Sequence, residues 1–317
     1  MKQRVLITGG TGFLGRHLAH ALKNDYEVFL GARNNKQNSV AARITGCEVM
    51  PLDICNMESV RDAVIESRPD IIIHAAATKF VDLSEKFPME CIDVNVTGSQ
   101  NVIRVAVDKG VKSVIAVSTD KAAPPVRNTY GMSKALMERA FCSMHGKTAT
   151  KMMCVRYGNV AWSTGSVLPI WKSMWEKEKL IGSTGPEMTR FFFTVNDAVN
   201  LVKTAMENID RFGGMVLSRE MKAAKVEDIL NVWMEEYGGR WEKIQGRPGE
   251  RNNEYLVGEL ELAYTRKIKL NNIMHYVISF NDKSDTALED VVTSDNAPRM
   301  NRDDILHILN AVPEEIV

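Results

Sequence analysis

The chain has 317 residues, enough for one large α/β unit or a large domain with a smaller appendage, and either buries a sizeable core. Its 40 Lys and Arg are matched by 40 Asp and Glu, so no basic excess marks nucleic acid or an anionic membrane surface as the main partner. The five cysteines form no CxxC pair and no His-Cys cluster at zinc spacing, which predicts reduced core thiols, a cytoplasmic setting and no metal site.

The opening MKQRVLITGG holds too short an apolar run for a signal-peptide core, and no run approaches the roughly 18 residues of a membrane span, so a soluble chain is expected. From there, strand-length apolar runs alternate with longer amphipathic ones: RVLIT, FLGRHLAHALKN, EVFLGAR, CEVMPLD, MESVRDAVIES, DIIIHAAA, CIDVNVTGSQNVIRVAVDKG and KSVIAVS. This alternation predicts repeated βαβ units and a parallel sheet. VLIT, DIIIH and SVIAVS are apolar at both alternating positions, as expected of strands covered on both faces. A helix over 129–146 and a strand in KMMCVRYGN carry the pattern to about residue 160. The fold class is therefore α/β, a Rossmann-type doubly wound parallel sheet formed by residues 1–160. Residues 161–317, richer in Gly and Pro, read as a smaller substrate-binding lobe from which the chain returns to the sheet near 190–205. Helices are expected in VNDAVNLVKTAMENI, in VEDILNVWMEEYG and in MNRDDILHILNAV, the last capped by Asn301, while 281–297 is polar and irregular.

VLITGGTGFLGRHLAHAL places Gly9, Gly12 and Gly15 at three-residue spacing between an apolar strand and a helix. Such a turn lets a pyrophosphate approach the backbone at a helix N-terminus, so Gly9, Thr11, Gly12, Phe13, Leu14 and Gly15 are expected to hold a dinucleotide. The second strand ends in EVFLGARNN, with Arg33 where an acid would bind ribose hydroxyls. Arg33, with Arg16 in the first helical turn, predicts NADP rather than NAD; the alternative is a solvated surface charge. Asp53 and Ile54 after the third strand, and Ala75 and Ala76 after the fourth, lie at carboxyl ends of strands and should face the cofactor.

In STDKAAPPVRNTYGMSK, Tyr130 and Lys134 stand i,i+4 on a helix face, where an ammonium makes a phenolate more accessible as a base. Ser118 and Thr119 end the preceding strand. Asp120 and Lys121 are either a turn pair or an acid and a base.

These motifs, GGTGFLG, LDI, HAAATKFVD, STDK and YGMSK in that order, resemble the extended short-chain dehydrogenase/reductase superfamily. With RYGNVAWSTGSVLPIW, MTRFFFTVNDAV, RPGERNNE and TSDNAPRMN, the chain is similar to the inverting, 5-epimerising UDP-N-acetylglucosamine 4,6-dehydratases of polysaccharide biosynthesis. That resemblance implies oxidation at C4 through Tyr130 and Lys134 with Thr119 beside them. Lys121 would take the C5 proton and Asp120 would protonate the departing 6-hydroxyl. A neutral Lys121 needs a lowered pKa, from burial or from a cation such as Lys79 or Arg127. The resemblance also implies substrate contacts from Lys79, Asn159, Ser166, Val167, Arg190, Arg247 and Glu250, and a homodimer or higher homo-oligomer through helices 85–109 and 129–146. AAPPVRNT carries one residue more than the family usually has between Lys121 and Tyr130, which bears on where Lys121 sits relative to C5. The rival activities are a nucleotide-sugar 4-epimerase, which has no need of Asp120 or Lys121, and a non-catalytic NADP-binding regulator.

Overall fold

The structure, a computed structural model, describes residues 2–246 and 248–313. Among these residues the main sheet has nine strands. Six come from the first half: β1 (Arg4–Thr8), β2 (Glu27–Ala32), β3 (Glu48–Pro51), β4 (Ile71–His74), β5 (Ser113–Val117) and β6 (Lys151–Val155). They lie parallel in the order β3-β2-β1-β4-β5-β6. The order reverses between β1 and β4, where a doubly wound sheet opens a crevice beyond its carboxyl ends. Strands β4 and β5 are buried at every position, which is why their runs show no polar face.

The helices α1 (Phe13–Leu22), α2 (Asn35–Thr45) and α3 (Met57–Ser67) link the first four strands. Asn34 and Asn56 cap α2 and α3 by accepting from the amides of Gln37 and of Glu58 and Ser59. The run read as one helix over 85–109 is broken into α4 (Val81–Lys86), α5 (Pro88–Ile92), a π-helical turn Asp93–Gly98 and α6 (Ser99–Asp108). Pro88 has no amide to donate, so the helix restarts there with proline in its first turn. The wide π turn aims Asn95 at Thr78, whose amide donates to Oδ1 at 2.9 Å, and at Ser133, which accepts from Nδ2 at 2.9 Å. Helix α7 (Thr129–Met144) is capped by Asn128, which accepts from the Gly131 amide at 2.7 Å.

The second half returns to the sheet in two places. Strand Val216–Arg219 pairs parallel with β6, and the hairpin Thr265–Leu270 and Ile273–Ile278 extends the sheet antiparallel. That hairpin was not legible as part of an irregular lobe. Its signal is Asn271-Asn272, a two-residue turn with φ of 48° and 63° between alternating runs. The three expected helices form at Val195–Glu207, Val226–Tyr237 and Arg302–Asn310, with Asn301 and Asp304 in a reciprocal capping box. Trp162, Trp171 and Trp233 build a second core with Ile305 and Ile308, while Phe191 and Phe193 enter the main one.

One buried ion cluster joins the two halves. Arg156, at the end of β6 and 0 % exposed, donates to both carboxylate oxygens of Glu138 on α7 at 2.9 and 2.6 Å. It also donates to Glu261 at 2.9 and 2.8 Å, and to the Leu256 carbonyl at 3.0 Å. The planar guanidinium fork suits this bidentate double pairing, and it anchors the face of α7 that carries the residues described next.

Candidate active site

A cleft of about 750 Å³ opens along the carboxyl ends of the strands, from the α1 turn to the Pro248–Glu250 loop. Gly9, Thr11, Gly12, Phe13, Leu14 and Gly15 line it, and Ala75, Ala76 and Ile54 form its floor. Gly9 has φ 68°, and a Cβ there would lie 2.8 Å from the Ala76 backbone, so strand end and turn meet only through glycine. The N-terminus of α1 begins at Gly12 with no side-chain cap, leaving its first amides for an anion. These features fit a dinucleotide pyrophosphate. Arg33, exposed, lines the same end beside Asn34 and Gln37, with no acid among the three. Two residues read as cofactor contacts stand apart from the cleft lining. Arg16 turns back to donate to the Thr11 carbonyl at 2.9 Å, and Asp53 accepts from the Cys55 amide at 3.0 Å, closing its own turn.

Tyr130, Lys134, Ser118 and Thr119 line the middle of the cleft. Lys134 donates to the Val117 carbonyl at 2.8 Å, and burial lowers its pKa to about 8. Burial pushes Tyr130 up to about 12, against which the cationic Lys121 and a hydrogen bond with Thr119 work to lower it. Lys121 thus adds a cation bearing on Tyr130 that the i,i+4 spacing did not point to.

Asp120 lies just under the cleft wall, 0 % exposed, and accepts from Thr119 Oγ1 at 2.9 Å. Lys121 reaches Asp120 Oδ1 at 3.0 Å and Glu254 Oε1 at 3.3 Å. Burial opposes its charge, but Asp120 and Glu254 together outweigh that and hold Lys121 above the ordinary lysine range. The lowered pKa that a resting neutral base requires is therefore not found; two carboxylates outweigh the cation, Arg190, that also faces the amine. Gly131 sits so close that a Cβ would lie 2.3 Å from the Lys121 carbonyl oxygen, which keeps the start of α7 on the Asp120–Ala122 turn.

Of the residues read as substrate contacts, Lys79, Asn159, Ser166, Arg190 and Glu250 line the cleft and Val167 does not. Arg247 lies outside the described residues. Burial lowers the pKa of Lys79. Arg190 donates to the Thr189 and Asn252 carbonyls at 2.8 and 3.1 Å, and Glu250 accepts from Thr184 Oγ1 at 3.0 Å. Sequence reasoning missed Glu254 and Tyr157, both cleft-lining. Glu254 closes the motif RPGERNNE, yet only the fold brings it to Lys121.

The family model described as polysaccharide biosynthesis protein matches residues 5–277. The chain belongs to that family. It is 33 % identical over 328 residues, covering 96 % of this chain and 94 % of the relative, to a UDP-glucose 4-epimerase of Rickettsia felis. Its structure is similar to that of Pen from Bacillus thuringiensis, with a TM-score of 0.89, 28 % identity and coverage of 100 % and 99 % of the two chains. The fold is shared with TunA, an NAD-dependent NDP-hexosamine 5,6-dehydratase of tunicamycin biosynthesis, at a TM-score of 0.65 and 22 % identity over 79 % of this chain and 87 % of that one. The matched family is a short-chain dehydrogenase/reductase domain of polysaccharide biosynthesis, and the Rickettsia felis epimerase is a relative along nearly its whole length. Among the described residues no helix is long and apolar enough to cross a membrane.

Proposed function

We propose that the protein is an NADP-dependent UDP-N-acetylglucosamine 4,6-dehydratase with inversion at C5, releasing a 4-keto-6-deoxy sugar nucleotide for glycan assembly. The observation that carries this reading is the Asp120–Lys121 ion pair, buried beside Tyr130 at the cleft. Oxidation at C4 alone needs Tyr130, Lys134 and a hydroxyl such as Thr119. Burying a further charged pair costs several kcal/mol of desolvation, on the order given for ions removed from water, and elimination of the 6-hydroxyl gives that pair a task. The bound dinucleotide supplies reversible hydride transfer, so none is consumed. Tyr130 carries the proton of the 4-hydroxyl. The ketone then acidifies C5–H, and Asp120 and Lys121 serve the loss of water across C5 and C6. Arg33 at the adenosine end, lining the cleft with Asn34 and Gln37 where an acid would suit ribose hydroxyls, supports NADP over NAD.

A 4-epimerase is the second reading, favoured by the name of the Rickettsia felis relative. Incubation with UDP-N-acetylglucosamine in heavy water separates the two. A product lighter by one water, with deuterium at C5 and coupling constants of the inverted sugar, is expected; unchanged substrate mass with altered C4 geometry would mean epimerase. Asp120→Asn and Lys121→Ala are expected to abolish water loss, and full dehydratase rate in both variants would sink the assignment. Binding of the two dinucleotides, measured side by side, is expected to favour NADP and to lose that preference in Arg33→Ala. Exposed Met132 and Leu136 on α7 and Phe87, Met89 and Ile92 near α5 support pairing of two copies there, to be checked by light scattering.

A further inference from the structure

Glu254 sits at the centre of the charged wall of the cleft, 2 % exposed, and meets cations from three segments. Its Oε1 lies 3.3 Å from Lys121 Nζ and 4.0 Å from Arg190 Nε, and its Oε2 lies 3.9 Å from Arg251 Nη1. Its amide donates to Ser294 Oγ at 2.9 Å, which pins the backbone. Glu254 Oε2 and Arg251 Nη1 have no hydrogen-bond partner, so the shortest charged contact of the carboxylate is the one to Lys121. Lys121 faces Asp120 at 3.0 Å on its own turn, Glu254 at 3.3 Å, Arg190 on strand Thr189–Phe193 and Tyr130 on α7.

We propose that Glu254 is a positioning residue for the elimination step, holding Lys121 as an oriented ammonium and thereby setting where the proton sits in the Asp120–Lys121 pair. The proposal deepens the dehydratase reading and rests on it. With Asp120 alone the proton has one counter-charge to leave; the second carboxylate, on another side, biases it to nitrogen. Elimination needs the opposite distribution. Transfer of one proton from Lys121 Nζ to the Asp120 carboxylate creates a neutral amine and a neutral carboxylic acid together. The amine takes the C5 proton while the C5–H electron pair becomes the C5–C6 double bond. The C6–O bond breaks, and the Asp120 proton joins the leaving hydroxide as water. The pair ends as ammonium and carboxylate, the arrangement seen at rest, and the proton count closes without an outside acid, base or oxidant.

The test titrates Lys121 in the full-length protein, labelled with carbon-13 at lysine Cε, the resonance being assigned by its loss in Lys121→Met. In the unaltered protein the Lys121 signal is expected not to titrate below about pH 10, the ordinary lysine range. In Glu254→Gln its midpoint is expected to fall by about one pH unit or more, with the acid limb of the dehydration rate moving the same way. Glu254→Asp, which withdraws the carboxylate by one methylene, should give a smaller shift in that direction and takes the place of the Gln variant if the latter does not fold. An unmoved Lys121 midpoint overturns the proposal even if water is lost from the sugar. A moved midpoint with no water lost from UDP-N-acetylglucosamine overturns the dehydratase reading and leaves the charge-setting role of Glu254 standing.

Discussion

Arg156→Met removes the guanidinium from the buried cluster and strands two carboxylates. Arg156 is 0 % exposed, and its partners Glu138 and Glu261 are 1 % and 4 % exposed, so water cannot take its place without opening the core. Removing one partner of a buried ion pair costs ~3–5 kcal/mol, chiefly through the charge left behind. With two carboxylates left facing each other, the upper end of that range is expected at pH 8. Arg156→Lys keeps a charge but not the fork that bridges both acids, and about half the loss is expected. Urea unfolding followed by the fluorescence of the buried tryptophans reports both. The loss should also shrink toward acid. Stranded carboxylates in apolar surroundings have raised pKa values, so the folded variant binds protons that the unfolded chain does not, and its stability rises as pH falls from 8 to 5. An Arg156→Met protein within about 1 kcal/mol of the parent at pH 8, or a loss that ignores pH, would refute the view that this cluster fastens the halves together.

If Tyr130 carries the 4-hydroxyl proton as proposed, Tyr130→Phe should lower turnover by ~10²–10⁴-fold while dinucleotide affinity is kept, read by product formation and by calorimetry. Gly9→Val places a branched side chain at φ 68° and against the Ala76 backbone, so dinucleotide binding should be lost in a titration that the unaltered protein passes. His74 bridges Thr8 Oγ1 at 2.8 Å and Ser99 Oγ at 3.0 Å, and burial, helped by Lys134, lowers its pKa from 6.5 to about 3. The unfolded chain therefore takes up this proton first. Stability from this group is complete above pH 6.5 and is lost at about 1.4 kcal/mol per pH unit as pH falls toward 3. His74→Gln should be less stable at pH 8 yet lack that part of the acid slope, seen as urea midpoints that converge with those of the parent as pH drops.

The repeated βαβ pattern, the glycine turn, the Asn301 cap and the shared face of Tyr130 and Lys134 were all legible in the sequence. Each depends on residues within a turn or two of one another, so periodicity and spacing carry the information. The long helix expected over 85–109 failed at Pro88, a local signal that the apolar period outweighed. The only local signal for the hairpin at 265–278 is Asn271-Asn272, a two-residue turn at positive φ. What only the tertiary structure decided is the charge on the reacting groups. Lys121 is held as an ammonium by Asp120 beside it and by Glu254, which arrives from the second half of the chain, and Lys134 donates to the Val117 carbonyl. Arg156 is a structural fork because Glu261, 105 residues away, meets Glu138 across it. Burial and Coulomb interaction act through space, so groups brought together by folding set these protonation states, and no spacing along the chain records them.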